Sequence, residues 1–116
     1  MSEENNKQYI TKDSGERIEW ESGFRRDTNK GKPRYDLIPH ECLKELAELY
    51  SRGAEKYGSE NWKKAETEEE INRFIESAFR HFYQFIAGED DESHMAATVF
   101  NLFAYRYLTI YKKKNV

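Results

Sequence analysis

The sequence is short of several features, and each shortage excludes a class of protein. Its 116 residues include a single cysteine, Cys42, and two prolines. One cysteine excludes an internal disulfide and a zinc site built from cysteines. No run approaches the roughly 20 apolar residues that span a bilayer, and the first residues are acidic and polar, unlike a secretory signal. The sequence therefore predicts a soluble, cytoplasmic protein with no membrane partner.

The chain also lacks a strong excess of positive or negative charge. There are 19 Lys and Arg against 22 Asp and Glu, for a net charge of −3, which argues against a coat on polymeric nucleic acid. Aromatic residues make up 15% of the chain, more than a disordered polyelectrolyte carries. At this length a single domain with its own core is expected, covering residues 1–116.

Residue spacing predicts a mainly α fold: a helical bundle of three principal helices behind an N-terminal β-hairpin and basic arm. A glycine turn at 13–16, between β-branched and aromatic flanks at 8–11 and 17–20, predicts the hairpin. The hairpin and arm occupy residues 1–38, and the helical core occupies residues 39–112.

The helix boundaries follow from capping signals. The first helix is expected from Pro39 to a stop at Gly53. Thr67 and Glu70 form a capping-box pattern that begins the second helix, which Gly88 ends. The third is expected over about 91–112 and is apolar on more than one face, so it occupies a central position or forms the interface of a homodimer or homotetramer.

Polar residues recur on one side of the third predicted helix. Asp91, His94, Thr98, Asn101 and Tyr105 are spaced by three and four residues. Two interpretations stay open: a satisfied network that fixes helix register, or a ligand cleft between helices.

Carboxylates offer candidate ligands for a hard cation such as Mg²⁺ or Mn²⁺. Glu45 and Glu48 lie one helical turn apart, and Glu76 is the only acid in the body of the second helix. In an antiparallel pair, Glu45 and Glu48 are expected to face Arg73 and Glu76, with Asp91 and Glu92 at the far end. Solvated glutamates are the alternative interpretation.

A third set of residues suits a nucleotide. Cationic side chains can neutralise a polyphosphate, and aromatic and amide side chains can stack on a base or bind its edge. Core aromatics and a solubilising surface are the alternatives. The cations are Lys30, Lys32, Arg34, Lys56 and Arg80, and the base-binding candidates are Tyr57, Asn61 and Trp62.

Six short motifs occur in one order over nearly the whole chain. Together they resemble the small phage dATP/dGTP diphosphohydrolases (MazZ-like), which are related to the all-α MazG-type nucleoside triphosphate pyrophosphohydrolases. The motifs are Gly23-Phe24-Arg25-Arg26-Asp27, residues 31–39 (GKPRYDLIP), residues 53–58 (GAEKYG), Asn61-Trp62, residues 77–81 (SAFRH), and Asp91-Glu92-Ser93-His94 leading to Asn101.

The resemblance implies a helical oligomer that uses Mg²⁺ or Mn²⁺ to hydrolyse purine deoxynucleoside triphosphates to monophosphate and pyrophosphate, within a phage-infected cell. It implies catalytic roles for His81 and His94. Metal candidates are Glu45, Glu48, Glu76, Asp91 and Glu92; the MazG pattern of ExxE followed by ExxD is matched only in its first half. Nucleotide candidates are Lys32, Arg34, Lys56, Tyr57, Asn61, Trp62, Arg80 and Asn101. The alternatives are a nucleotide-binding or host-modulating protein without catalysis, and a structural oligomer.

Overall fold

A computed structural model describes residues 10–112 of the chain. The fold is mainly helical, as predicted, and begins with a short antiparallel hairpin of strands β1 (Arg17–Glu19) and β2 (Arg25–Asp27). Three α-helices follow: α1 (His40–Tyr57), α2 (Glu68–Ile86) and α3 (His94–Arg106). The described helices include none that is long and apolar enough to cross a membrane.

The hairpin is present, but its strands are not those expected. β1 pairs with β2 in the register Arg17 opposite Asp27 and Glu19 opposite Arg25, so opposite charges face each other across the ladder. Gly23, at φ +89°, provides the turn. Residues 10 and 11 of the other expected strand belong to no strand, and residues 8 and 9 lie outside the described residues.

Residues 13–16 form a local turn that folds onto β2 instead of joining two strands. The Asp13 carboxylate accepts from the Gly15 N–H at 2.9 Å and from Arg17 at 2.7 Å. The hydroxyl of Ser14 donates to Asp27 at 2.5 Å. Side chains that bind nearby backbone in this way compete with strand pairing.

Helix α1 extends one turn past its expected stop. Gly53 lies within the helix, which ends where Gly58 adopts φ +93° and its N–H donates to the Ala54 carbonyl at 2.9 Å. An interior glycine costs only about 1 kcal/mol relative to alanine, and good helix formers follow it. Tyr57 is therefore the last residue of α1 and not part of a loop.

The capping box of α2 is confirmed. The Glu70 N–H donates to Oγ1 of Thr67 at 3.1 Å, and the Thr67 N–H donates to Oε1 of Glu70 at 3.0 Å. The third helix begins at His94, three residues later than expected, because Ser93 provides the N-cap by accepting from the Ala96 N–H at 3.2 Å. Beyond Arg106 it continues as a π-helix, Tyr107–Tyr111.

Contacts divide the chain into two compact units with a boundary between Leu37 and Ile38. In the second unit α3 is central: α2 packs along it and α1 packs on another side. The buried positions of α3 recur every three to four residues and are mostly small, which lets the helices approach closely. They are His94, Ala97, Asn101 and Ala104, with Leu108 one turn farther on, and Ala96 beside them is buried as well.

Candidate functional site

The beginning of α3 holds a buried histidine with a carboxylate partner. Nε2 of His94 lies 2.7 Å from Oδ1 of Asp91, and the His94 side chain is only 1% exposed. This hydrogen bond is the main reason that the pKa of Asp91 falls below its ordinary value. An ionised carboxylate can only accept, so we assign the ring proton of neutral His94 to Nε2. Its Nδ1 then carries a lone pair.

That lone pair points at a second histidine, on α2. Nδ1 of His81 lies 2.9 Å from Nδ1 of His94. The contact joins α2 to α3 in a row of three side chains, Asp91, His94 and His81. Burial lowers the pKa of His81 below its ordinary value of 6.5, so this ring is neutral near pH 7. The neutral ring of His81 therefore faces the ring of His94 at the closed end of the α2–α3 hairpin.

Two further carboxylates lie at the same place. One ring nitrogen of each histidine and an oxygen of Glu92 lie within 4.8 Å of one another, and Glu89, Asp91 and His94 form a second such group. We call these five residues the His–carboxylate cluster. Among residues 10–112, these are the only groups of three or more histidine, cysteine or acidic side chains close enough to share an ion.

Helix α1 reaches the edge of this cluster. The hydroxyl of Ser93 donates to Oε1 of Glu45 at 2.7 Å. Of the metal candidates, the structure thus places Asp91 and Glu92 in the cluster and Glu45 beside it. The expectation that Glu45 faces Arg73 and Glu76 is wrong, because Glu45 lies at the beginning of α3 and those residues lie early in α2.

The other two metal candidates are elsewhere. Glu76 is exposed on α2, where its nearest charged partner is Arg73 at 3.9 Å on the same helix. Glu48 is exposed on α1 and belongs to neither group of potential ligands. Sequence spacing suggested Glu76 because it is the only acid in the body of α2, but that helix turns it toward solvent.

A cavity of about 380 Å³ opens between the second half of α1, the loop that follows it, α2 and α3. It contains three of the nucleotide candidates, Tyr57, Asn61 and Trp62. Tyr57 lies at the rim and is 60% exposed. The cavity is also lined by Tyr50, Phe74 and Phe100. These three were not predicted as site residues, because their helical spacing is that of ordinary core residues.

Trp62 is fixed by aromatic neighbours. Its ring centroid lies 6.4 Å from those of Tyr50 and Phe100 and 5.3 Å from that of Tyr107, in edge-to-face arrangements. The ammonium of Lys112 donates to the Lys63 carbonyl at 2.6 Å and thereby ties the short helix Asn61–Lys64 to the end of the third helix. The cavity wall is therefore preformed.

The cavity and the His–carboxylate cluster share α3. Ser93 and Phe100, seven residues apart, lie on the side of α3 that contacts α1, through Glu45 and Tyr50 respectively. Six residues separate His94 from Phe100, a rise of about 9 Å along the helix. The cluster and the cavity therefore both include residues of α3, at positions about 9 Å apart along its axis.

The predicted cations have differing surroundings. In the first unit, Nζ of Lys32 lies 3.3 Å from Asp27, and Arg34 makes a bidentate pair with Asp36 at 2.8 and 2.7 Å. In the second unit, Lys56 lies 5.1 Å from the Tyr57 ring centroid. Arg80 is exposed beside His81 on α2.

Asn101 is not at the cavity. Its side chain is buried, and Nδ2 donates to the Ala97 carbonyl at 2.7 Å. Thr98 likewise donates to the His94 carbonyl at 2.7 Å. The polar stripe of the third helix therefore divides: its first two members, Asp91 and His94, form part of the cluster, and these later members bond to their own helix.

Comparison with known proteins gives one match. Neither the curated proteins nor the solved structures include a match to this chain. A protein-family model described as dATP/dGTP diphosphohydrolase, N-terminal, matches residues 22–115. This range contains the aromatic cavity and every residue of the His–carboxylate cluster. The chain belongs to the dATP/dGTP diphosphohydrolase N-terminal family.

Proposed function

We propose that this protein hydrolyses dATP and dGTP to the deoxynucleoside monophosphate and pyrophosphate. The family description names a hydrolase acting on these nucleotides. The observation that carries the proposal is the position of an aromatic cavity about 9 Å along α3 from a cluster of histidines and carboxylates. That spacing suits a purine at one end and the reacting phosphate at the other.

The cavity suits a purine base. Its volume of about 380 Å³ lies within the range of small-molecule sites. Trp62 offers a fixed aromatic surface, and Tyr57, at the rim, offers a second ring for stacking. The Asn61 side chain has both a donor and an acceptor for the edge of a base. Among residues 10–112, Glu60 is the only acid that lines this cavity, so these walls do not repel a polyanion strongly.

The cluster suits a divalent cation. Carboxylates and imidazoles converge within 4.8 Å at the beginning of α3, which is the donor chemistry that Mn²⁺ accepts and Mg²⁺ accepts in part. Residues of this cluster would hold the ion, with Glu45 at its edge. A bound cation supplies positive charge that polarises the phosphate oxygens and promotes attack by water at the α-phosphorus.

The reaction also requires cationic side chains that stabilise the negative charge of the phosphates, and the chain has candidates for this role. Lys56, over the ring of Tyr57, and Arg80, beside His81, provide charge for the departing pyrophosphate. Arg34 belongs to the basic arm, where its pair with Asp36 is exposed and therefore weak enough to exchange for an anion. Lys32 belongs to the same arm, but its partner Asp27 is only 17% exposed.

We further propose that the protein works as a homodimer or homotetramer. Large apolar side chains on α2 and α3 remain exposed in the single chain, among them Phe79 (61%), Phe82 and Leu102, which line one shallow groove. Contiguous apolar surface of this kind is typical of an interface. A second copy would cover it.

The assay is direct. Purified protein is incubated with each of the four deoxynucleoside triphosphates and Mg²⁺ or Mn²⁺, and pyrophosphate is measured. We expect turnover of dATP and dGTP, its loss with EDTA and its recovery with excess metal. Absence of turnover with all four nucleotides would overturn the enzyme proposal, and nucleotide-dependent thermal stabilisation without turnover would indicate a binding protein instead.

A further inference from the structure

We infer that His81, His94 and Glu92 form a binding site for a divalent transition-metal ion that accepts nitrogen ligands, of the class of Zn²⁺, Co²⁺ and Mn²⁺. The inference deepens the proposed function and rests on it in one respect: the cluster is taken to hold the reaction's cation. It assigns the two histidines to the metal as ligands, which the sequence motifs did not do.

The ring nitrogens are already at ligand spacing. Two nitrogens bound tetrahedrally to one ion at about 2.0 to 2.1 Å lie about 3.3 to 3.4 Å from each other. The Nδ1 atoms of His81 and His94 are 2.9 Å apart, and a Glu92 oxygen lies within 4.8 Å of ring nitrogens of both. A shift of a few tenths of an ångström would therefore admit an ion between the rings.

Asp91 orients His94 for this role. A histidine that binds a metal through one nitrogen usually donates its other N–H to a carboxylate, which fixes its tautomer. Nε2 of His94 lies 2.7 Å from Asp91, so the lone pair is on Nδ1, the atom that faces His81. The ring is buried, and burial restricts its rotation. On metal binding, the proton of neutral His81 moves from Nδ1 to Nε2, with no change of charge.

The ligand set predicts the metal preference. Mg²⁺ prefers oxygen ligands and retains several waters, whereas imidazole suits Zn²⁺ and Co²⁺ better than Mn²⁺. Binding through two imidazoles and one carboxylate should follow the order Zn²⁺ above Co²⁺ above Mn²⁺, with Mg²⁺ weakest.

The second group of potential ligands competes for the same histidine. Glu89, Asp91 and His94 also lie within reach of one ion, but this group would use Nε2 of His94, which already bonds to Asp91 at 2.7 Å. Its acids are exposed, and it contains one imidazole where the first group has two. The two groups can be separated because Nδ1 is the ligand atom in one and Nε2 in the other.

NMR of the unaltered full chain distinguishes these atoms. The protein has three histidines, and the third, His40, is exposed at the start of α1. In long-range ¹H–¹⁵N spectra without nucleotide, adding one equivalent of Zn²⁺ should shift Nδ1 of His81 and His94 strongly and leave His40 unchanged. No shift, or a shift of Nε2 of His94 alone, would overturn the inference.

Calorimetric titration with Zn²⁺ and Co²⁺ tests the side chains. His81→Ala and Glu92→Gln should each weaken binding at least tenfold, while the matched controls His40→Ala and Asp90→Asn, which lie outside both ligand groups, bind as the wild type does. The assignment would be contradicted if a folded His81→Ala variant bound Zn²⁺ with wild-type affinity. It would also be contradicted if Glu89→Gln lost binding while His81→Ala and Glu92→Gln kept it. The titration contains no nucleotide and therefore measures metal binding alone. A protein that binds Zn²⁺ but hydrolyses neither dATP nor dGTP would refute the proposed function only. Hydrolysis with Mg²⁺ and no Zn²⁺ binding would refute this inference only.

Discussion

Nδ1 of His81 on α2 lies 2.9 Å from Nδ1 of His94 on α3. Two imidazoles that face each other nitrogen to nitrogen must share a proton or an ion, since two lone pairs or two N–H groups would repel. The family match extends over both residues, and the aromatic cavity lies farther along the same helix. The packing of α2 on α3 therefore brings together the two histidines on which the proposed chemistry depends.

Asp91→Asn should impair the cluster without unfolding the protein. An amide can donate as well as accept, so it no longer fixes the proton of His94 on Nε2. Removal of such an orienting partner lowers metal affinity or activity about 10- to 100-fold. Zn²⁺ titration and pyrophosphate release measure the effect. Asp90→Asn, one residue away and outside both ligand groups, is the matched control, and an equal loss there would show a general effect of charge.

Tyr57→Ala should weaken nucleotide binding with little effect on stability, because the ring is 60% exposed at the rim of the cavity. Stacking of a base on an aromatic side chain is worth about 1–3 kcal/mol, so we expect KM for dATP to rise about 5- to 100-fold. Tyr57→Phe keeps the ring and should keep the affinity. Equal KM values for the alanine variant and the wild type would place the base elsewhere.

Thr67→Ala should destabilise the protein by about 1 kcal/mol, because it removes the N-cap of α2. Chemical denaturation gives the difference in the free energy of unfolding. Ser51→Ala removes a hydroxyl that only donates to the Ala47 carbonyl within α1, and we expect a much smaller change there. If both variants lost the same free energy of unfolding, a specific stabilising role of the Thr67 cap would be contradicted.

Acid should remove the contribution of Glu70 to the same cap. Hydrogen bonds from Thr67 and Glu66 lower the pKa of Glu70 below its ordinary value of 4.5. A carboxyl whose pKa is lower in the folded state stabilises the protein above its ordinary pKa, and this is lost as the pH falls through the folded pKa. The difference in Tm between wild type and Glu70→Ala should thus shrink below pH 4.5. A gap that is constant or widens there would contradict the capping role.

Phe79→Glu should dissociate the proposed oligomer. Phe79 is among the most exposed apolar side chains of α2, and a buried, unpaired carboxylate at an interface is costly. Light scattering should give a multiple of 13.9 kDa for the wild type and a lower multiple for the variant. Phe24→Glu, on the exposed turn of the hairpin, is the control. A wild type of 13.9 kDa would refute the oligomer.

The sequence predicted the elements better than their contacts. Local signals located α2, since the Thr67 capping box depends on residues three apart. They failed at Gly53, because one interior glycine is a weak break, and in the hairpin, because the side chains of residues 13–16 bind β2. Glu45 was assigned to the wrong end of α2, since its contact with Ser93 spans 48 residues of sequence.

The candidate site could be predicted only in part, because its residues are brought together by contacts between distant parts of the sequence. The motifs pointed to His81 and His94, but only the packing of α2 on α3 brings their Nδ1 atoms together. Tyr50 and Phe100 gave no signal beyond core spacing, and their role in the cavity depends on the loop that carries Trp62. Asn101 matched a motif, yet its buried position directs its amide to its own helix.

The central claim is attack by water at the α-phosphorus of a purine deoxynucleoside triphosphate. Hydrolysis of dATP or dGTP in ¹⁸O-labelled water, followed by ³¹P NMR or mass spectrometry of the products, tests it most directly. The account predicts pyrophosphate without label and one ¹⁸O atom in the monophosphate. Label in pyrophosphate or in orthophosphate, or no turnover, would contradict it.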